Sequence, residues 1–182
     1  MVLVKDRTVI DDLWVSVADD AALPEGRPAI VSLERWRREG GTLERRNVGI
    51  GVRLKSDQSP ALIADDLGRL GLIALEFPKF TDGRAYSSAR LLRERYGFRG
   101  EIRAVGNVLR DQLAFMVRCG FDAFELPDGA DVDGWLGSID EISVSYQRAA
   151  QRVVTVRGSG SEPVLAAQQL EPESVVVAMW AY

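Results

Sequence analysis

Lys79, Asp82 and Arg84 are crowded into "PKFTDGR", and Asn107, Arg110 and Asp111 into "GNVLRD". Ammonium and guanidinium groups beside free backbone N–H groups hold a small oxyanion or carboxylate, and an aspartate among them can orient a ligand or transfer a proton. A cation at the start of a helix opposes the helix dipole, so Lys79, Arg84 and Arg110 call for an anion or a carboxylate between them. Two readings follow. In one, the six residues converge on a ligand. In the other, Asp82 and Asn107 are helix caps, and Arg84 and Arg110 pair with Asp82, Asp111 or Glu76.

What is missing narrows the chemistry further. The chain has one cysteine and no histidine, which removes the intramolecular disulfide, the CxxC redox pair, the usual zinc sites and the Ser-His triad. No phosphate-binding P-loop and no G-x-G-x-x-G after a strand occurs. The cofactor therefore stays unassigned, since a flavin site can rest on backbone geometry that leaves no motif. Cys119 falls in the last turn of an expected helix, where the dipole raises a thiol pKa, and reads as a buried structural thiol.

Net charge is -4, so no general nucleic-acid footprint is expected. Eight arginines are nonetheless gathered in one central stretch: Arg84, Arg90, Arg93, Arg95, Arg99, Arg103, Arg110 and Arg118. They read as solvated helix faces, with one or two left for a local anion site. The N-terminus carries charges early and has no long apolar run, and no segment has the length of a membrane span. A cytoplasmic protein is the expectation.

The elements that must position these residues follow a rhythm. "VLVKDRTVIDDLWVSVADD" reads as a hairpin or meander, "AIVSL" as a buried strand, "ERWRREGG" as a short helix and "VGIGVRL" as the next strand. A helix from Pro60, the strand "LIALEF", the helix "RAYSSARLLRERY", the strand "EIRAV", the helix "VLRDQLAFMVRC" and the strand "AFEL" come next. A helix near Asp133–Asp140 and a strand "SVSYQ" complete the pattern. Leu109, Leu113 and Met116 recur at helical spacing and should face the core, whereas Tyr86 and Tyr96 are half-buried packing or stacking residues.

Three expected helix ends share one pattern, at Gly71, Gly97 and Gly120: Arg before the last residue, then Gly, then an apolar residue. Glycine there takes the left-handed conformation and the next residue packs back on the last turn. Alternation of strand and helix gives the fold class: α/β, with repeated βα units forming a mainly parallel sheet behind an N-terminal β-hairpin. An open layered sheet is the expected form, a partial barrel the alternative. Residues 1–147 form one domain and 148–182 a tail, linker-like and then apolar ("SVVVAMWAY"), which allows a homo-oligomer. Ligands of parallel α/β sheets sit beyond the carboxyl ends of the strands, which selects the loops that begin at Pro78, Gly106 and Pro127.

"FPKFTDGR", "LRERYGFRGEIRAVG", "VLRDQ" and "RCGFDAFEL" together make the chain resemble the bacterial family called domain of unknown function 934. The likeness is expected from the N-terminal hairpin to "SVSYQ", leaving the tail from about Arg148 outside. Ala85 in "DGRAYS" stands where a glycine is usual. The resemblance implies an association with assimilatory sulfite or sulfate reduction and carries an oxidoreductase label, but it lends no catalytic residue. Two expectations result. One is an accessory protein that binds sulfite reductase or another sulfate-assimilation protein. The other is a small-anion-binding protein or enzyme that uses the Lys/Arg/Asp loops.

Overall fold

Asp6 and Arg7 both take positive φ, 47° and 64°, the twist that a two-residue hairpin turn requires. They join β1 (Val2–Lys5) to β2 (Thr8–Ile10), which pair antiparallel as the sequence predicts. The computed structural model describes residues 1–140, which lie within the first of two compact units, Met1–Arg152. The expected strand "SVSYQ" and the tail lie outside the described residues.

Six further strands follow: β3 (Val15–Ser16), β4 (Ala29–Ser32), β5 (Ile50–Leu54), β6 (Leu72–Phe77), β7 (Glu101–Gly106) and β8 (Ala123–Leu126). They run parallel in chain order, and β1 closes onto β8 antiparallel, giving the order β2-β1-β8-β7-β6-β5-β4-β3. The connections are α1 (Leu33–Leu43), a 3-10 helix (Pro60–Arg69), α2 (Arg84–Arg90) and α3 (Leu113–Cys119), with α4 (Val132–Asp140) after β8. Parallel strands taken in sequence with right-handed crossovers place every connecting helix on one face. That face holds the main core, where Val52, Leu54, Ile73, Leu75, Phe77 and Ile102 meet Trp36, Ile63, Leu92, Leu113 and Met116.

The sheet is strongly curled, and chain reach shows why. Laid flat, eight strands at about 4.8 Å spacing would set the two edges roughly 34 Å apart. Only Asp11–Trp14 separate β2 at one edge from β3 at the other, and that stretch reaches about 18 Å at most. The edges must therefore approach, and the partial barrel, not the flat layered sheet, fits the described residues: they form a half-barrel with β2 and β3 at its edges. The four-residue strap crosses the opposite face, which carries no helix among the described residues and is called the helix-free face below. Trp14 packs on a second apolar cluster of Ile30, Leu72, Ala74 and Val105, and Asp12 reaches Arg103 of β7.

Two of the three glycine helix ends are as predicted. Gly97 and Gly120 have φ of 63° and 103°, with Phe98 N donating to Leu92 O at 2.8 Å and Phe121 N to Met116 O at 3.2 Å. Gly71 is different. It does not take a left-handed φ, and a Cβ there would stand 3.2 Å from the Trp14 ring. Its small size makes room for the strap; it does not end a helix. The predicted helix over 84–96 is α2 followed by one π-helical segment, Leu91–Arg95. Leu113 and Met116 are fully buried as expected, whereas Leu109 is extended, half-buried and precedes the helix.

Candidate functional site

The loops after β6 and β7 are neighbours, as the strand order requires. Asn107 N donates to Phe77 O at 2.8 Å, and Gln112 Nε2 to Phe80 O at 3.1 Å. Gly106, at φ 92°, makes this approach feasible, because a Cβ would meet Phe77 O at 2.6 Å. Of the six predicted residues, Asp82 and Arg84 are committed to each other. Arg84 forms a fork on Asp82, Nε–Oδ1 2.9 Å and Nη2–Oδ2 2.7 Å, and its backbone N–H donates to the same carboxylate at 3.2 Å. Arg84 Nη2 also donates to Ser56 Oγ at 3.0 Å.

The Arg84 guanidinium, helped by Ser56, holds the Asp82 carboxyl far below the usual carboxylate range. Lys79, Asn107 and Asp111 are exposed. Arg110 leans toward α4: its carbonyl accepts from Ser138 Oγ at 3.0 Å, and its Nη1 lies 3.5 Å from where a Gly134 Cβ would be. The pairing alternative therefore describes Asp82 and Arg84.

A cleft of about 420 Å³ does open at the carboxyl ends of parallel strands, but of β3 to β6. Its polar lining comes from Ser16, Asp19, Ser32, Arg53, Lys55 and Glu76, and none of the six predicted residues borders it. Strand alternation explains the two central groups. Val52 and Leu54 point into the helix-side core, so Arg53 between them faces the other way. Leu75 and Phe77 do the same for Glu76. Arg53 Nε and Glu76 Oε2 are 4.0 Å apart, with side chains 50% and 33% exposed. The two form an ion pair at the outer limit of contact, too long for a hydrogen bond. Neither side chain makes a hydrogen bond to any other described residue.

Ser32, Asp19 and Lys55 are committed. Ser32 caps α1, accepting from Arg35 N at 3.0 Å, and donates to Asp19 Oδ1 at 2.6 Å. Buried Arg35 donates to the Ala18 and Ala21 carbonyls at 2.6 and 2.8 Å, which fixes the loop that forms one wall. Lys55 Nζ binds Glu34 Oε1 at 3.2 Å. Glu34 titrates below its usual range because its own backbone N–H and Lys55 stabilise the carboxylate, and Lys55 is raised in return. Sequence reasoning looked to the loops beyond the strands and so missed Arg53 and took Glu76 only as a pairing partner; the two are the last outward-facing residues of β5 and β6. The available signal was a charge inside each of "GVRL" and "LIALEF", otherwise apolar.

Deeper on the helix-free face lies an ion cluster. Arg103 is 1% exposed and donates from Nε to Glu101 Oε1 at 2.8 Å, from Nη1 to Asp12 Oδ2 at 2.7 Å and from Nη1 to Glu125 Oε1 at 3.3 Å. Lys5 Nζ binds the second oxygen of Glu101 at 2.7 Å. Burial pushes the Glu125 carboxyl up, against the pull of Arg103. On the helix side, buried Arg93 donates to Gly120 O at 3.0 Å, Phe98 O at 2.6 Å and Gly100 O at 2.9 Å, and pairs with Asp122. Arg93 and Arg103 thus depart from the expected solvated faces: each closes a set of inward-facing acceptors. Cys119 is buried, and burial pushes its thiol up. Among the described residues no group of three or more Cys, Asp or Glu is placed to hold a metal ion, and no helix is long and apolar enough to cross a membrane.

Fold and site together define an α/β half-barrel protein with a charged cleft at the carboxyl ends of its parallel strands. The chain belongs to the family described as bacterial protein of unknown function (DUF934), whose model matches residues 51–156. The match begins within β5, not at the hairpin, and continues past Arg148. It includes Arg53, Lys55 and Glu76, but not the wall from Ser16 to Ser32. Comparison with curated proteins and with solved structures gives no match.

Proposed function

We propose that the protein binds a small acidic molecule in the cleft at the carboxyl ends of β3 to β6, with Arg53 as the anchor. One observation carries this: Arg53 and Glu76 face each other across 4.0 Å, partly exposed and without a hydrogen bond between them. The cleft volume falls in the range of small-molecule sites, and the location obeys the carboxyl-end rule for parallel sheets. In this reading Arg53 holds the anion, the role expected above of Lys79, Arg84 and Arg110. Binding should raise the melting temperature with ligand concentration. Sulfate, phosphate and small carboxylates are the first probes, and Arg53→Met should abolish their effect while leaving the basal melting temperature nearly unchanged. A parent protein stabilised neither by these nor by small amino acids would count decisively against the reading.

A second reading follows the family resemblance: a cytoplasmic accessory protein of assimilatory sulfite or sulfate reduction that works by docking on sulfite reductase or a related protein. Apolar side chains exposed on α3 and on the loop between β6 and α2 favour it, namely Phe115 (45%), Val117 (37%) and Phe80 (55%). Co-purification with sulfite reductase tests it. Absence of association, together with unchanged sulfite reductase activity in a deletion strain, would exclude it. The oxidoreductase label finds no redox group among the side chains that line the cleft.

A further inference from the structure

Resting on the cleft reading above, we infer that its ligand is a zwitterion of the amino-acid class, carrying an acidic group for Arg53 and an amino group for Glu76. Four ionisable residues line the cleft, and their charges cancel: Arg53 and Lys55 against Asp19 and Glu76. Such a lining sets up no net field to gather simple anions. Two of the four are already used, Asp19 by Ser32 at 2.6 Å and Lys55 by Glu34 at 3.2 Å. The pair that retains open hydrogen-bonding capacity holds one charge of each sign, 4.0 Å apart.

An anion on the Arg53 fork would place its oxygens close to the Glu76 carboxylate, and that repulsion opposes binding. A ligand whose ammonium lies on the same or the adjacent carbon to its carboxylate turns the repulsion into a second charge-assisted hydrogen bond. The spacing of the two protein groups suits a ligand with its two charges only a few ångströms apart. The hydroxyls of Ser16 and Ser32 border the same space, and Val17, Ala18 and Ile30 leave an apolar wall for a small side chain.

The test is titration calorimetry on the full chain with a panel of L-α-amino acids. Acetate and methylamine serve as single-charge controls, and the N-acetyl and amide forms of any amino acid that binds complete the set. The zwitterion should bind at least about tenfold more tightly than any form lacking one charge, as expected for one lost charge-assisted hydrogen bond. Glu76→Gln should lose about that factor for the amino acid while acetate binds as well or better. Arg53→Met should lose both. If acetate or the N-acetyl form binds as tightly as every amino acid, the zwitterion assignment falls and the anion cleft stands. If no probe binds the parent chain, the cleft reading itself falls. Because the N-acetyl and amide comparisons use only the parent protein, the result does not depend on any variant folding.

Discussion

Arg103 shows how much one inward-facing residue controls. It is the shared counter-ion of Asp12, Glu101 and Glu125 on the helix-free face, and removing one partner of a buried ion set leaves the others uncompensated. Arg103→Met should lower unfolding free energy by about 3–5 kcal/mol, read from urea transitions at neutral pH. The sign of its pH dependence follows from Glu125. A carboxyl raised by burial takes up its proton more readily folded than unfolded, so its contribution is present at low pH and lost as pH rises. Without Arg103 that carboxyl rises further, and the variant's deficit should therefore shrink on acidification.

Asp82 behaves oppositely. Its carboxyl is depressed from an ordinary 3.8 by Arg84, so its stabilisation is complete above that pH and is lost as pH falls below it. Asp82→Asn should flatten this part of the acid-stability curve, with parent and variant converging in strong acid. Because the Arg84 side of the pair is largely exposed, the effect will be small and reduced by salt. A curve that keeps its shape in the variant would show that the Asp82–Arg84 fork seen here is not stabilising. Neither residue's role was legible from its type. Asp82 and Arg84 were visible as a pair or a site, and the fold shows them paired through a 2.7 Å contact.

At the scale of the element, the strap Asp11–Trp14 sets the register of β3, an edge strand of only two residues. Trp14 fits against Gly49 and Gly71, where added Cβ atoms would come within 3.1 and 3.2 Å of its ring. β3 leads directly into the Ser16–Asp19 wall of the cleft. Trp14→Ala should cost about 2 kcal/mol, less than a fully buried tryptophan, and should speed amide exchange at Val15 and Val17, whose N–H groups donate to Pro28 and Ile30. Slow exchange preserved at both positions would show that the wall stands without its anchor. The glycine helix ends were legible at Gly97 and Gly120 because local geometry alone sets a left-handed cap. Gly71 was not, because the group it accommodates comes from a segment remote in sequence.

For the whole molecule, the alternation of strands and helices announced parallel βα units, and the hairpin announced its own turn. Both are local: period, turn residues and helix ends act over a few positions. Curvature was decided only in three dimensions, by four residues that must join opposite edges of an eight-stranded sheet. The site was decided there too. Which charges remain available depends on who else reaches them: Asp82 claims Arg84, Glu34 claims Lys55, Ser32 claims Asp19, while Arg53 and Glu76 are left 4.0 Å apart in the cleft. Partnership between side chains far apart in the chain is a property of packing, and no spacing in the sequence encodes it.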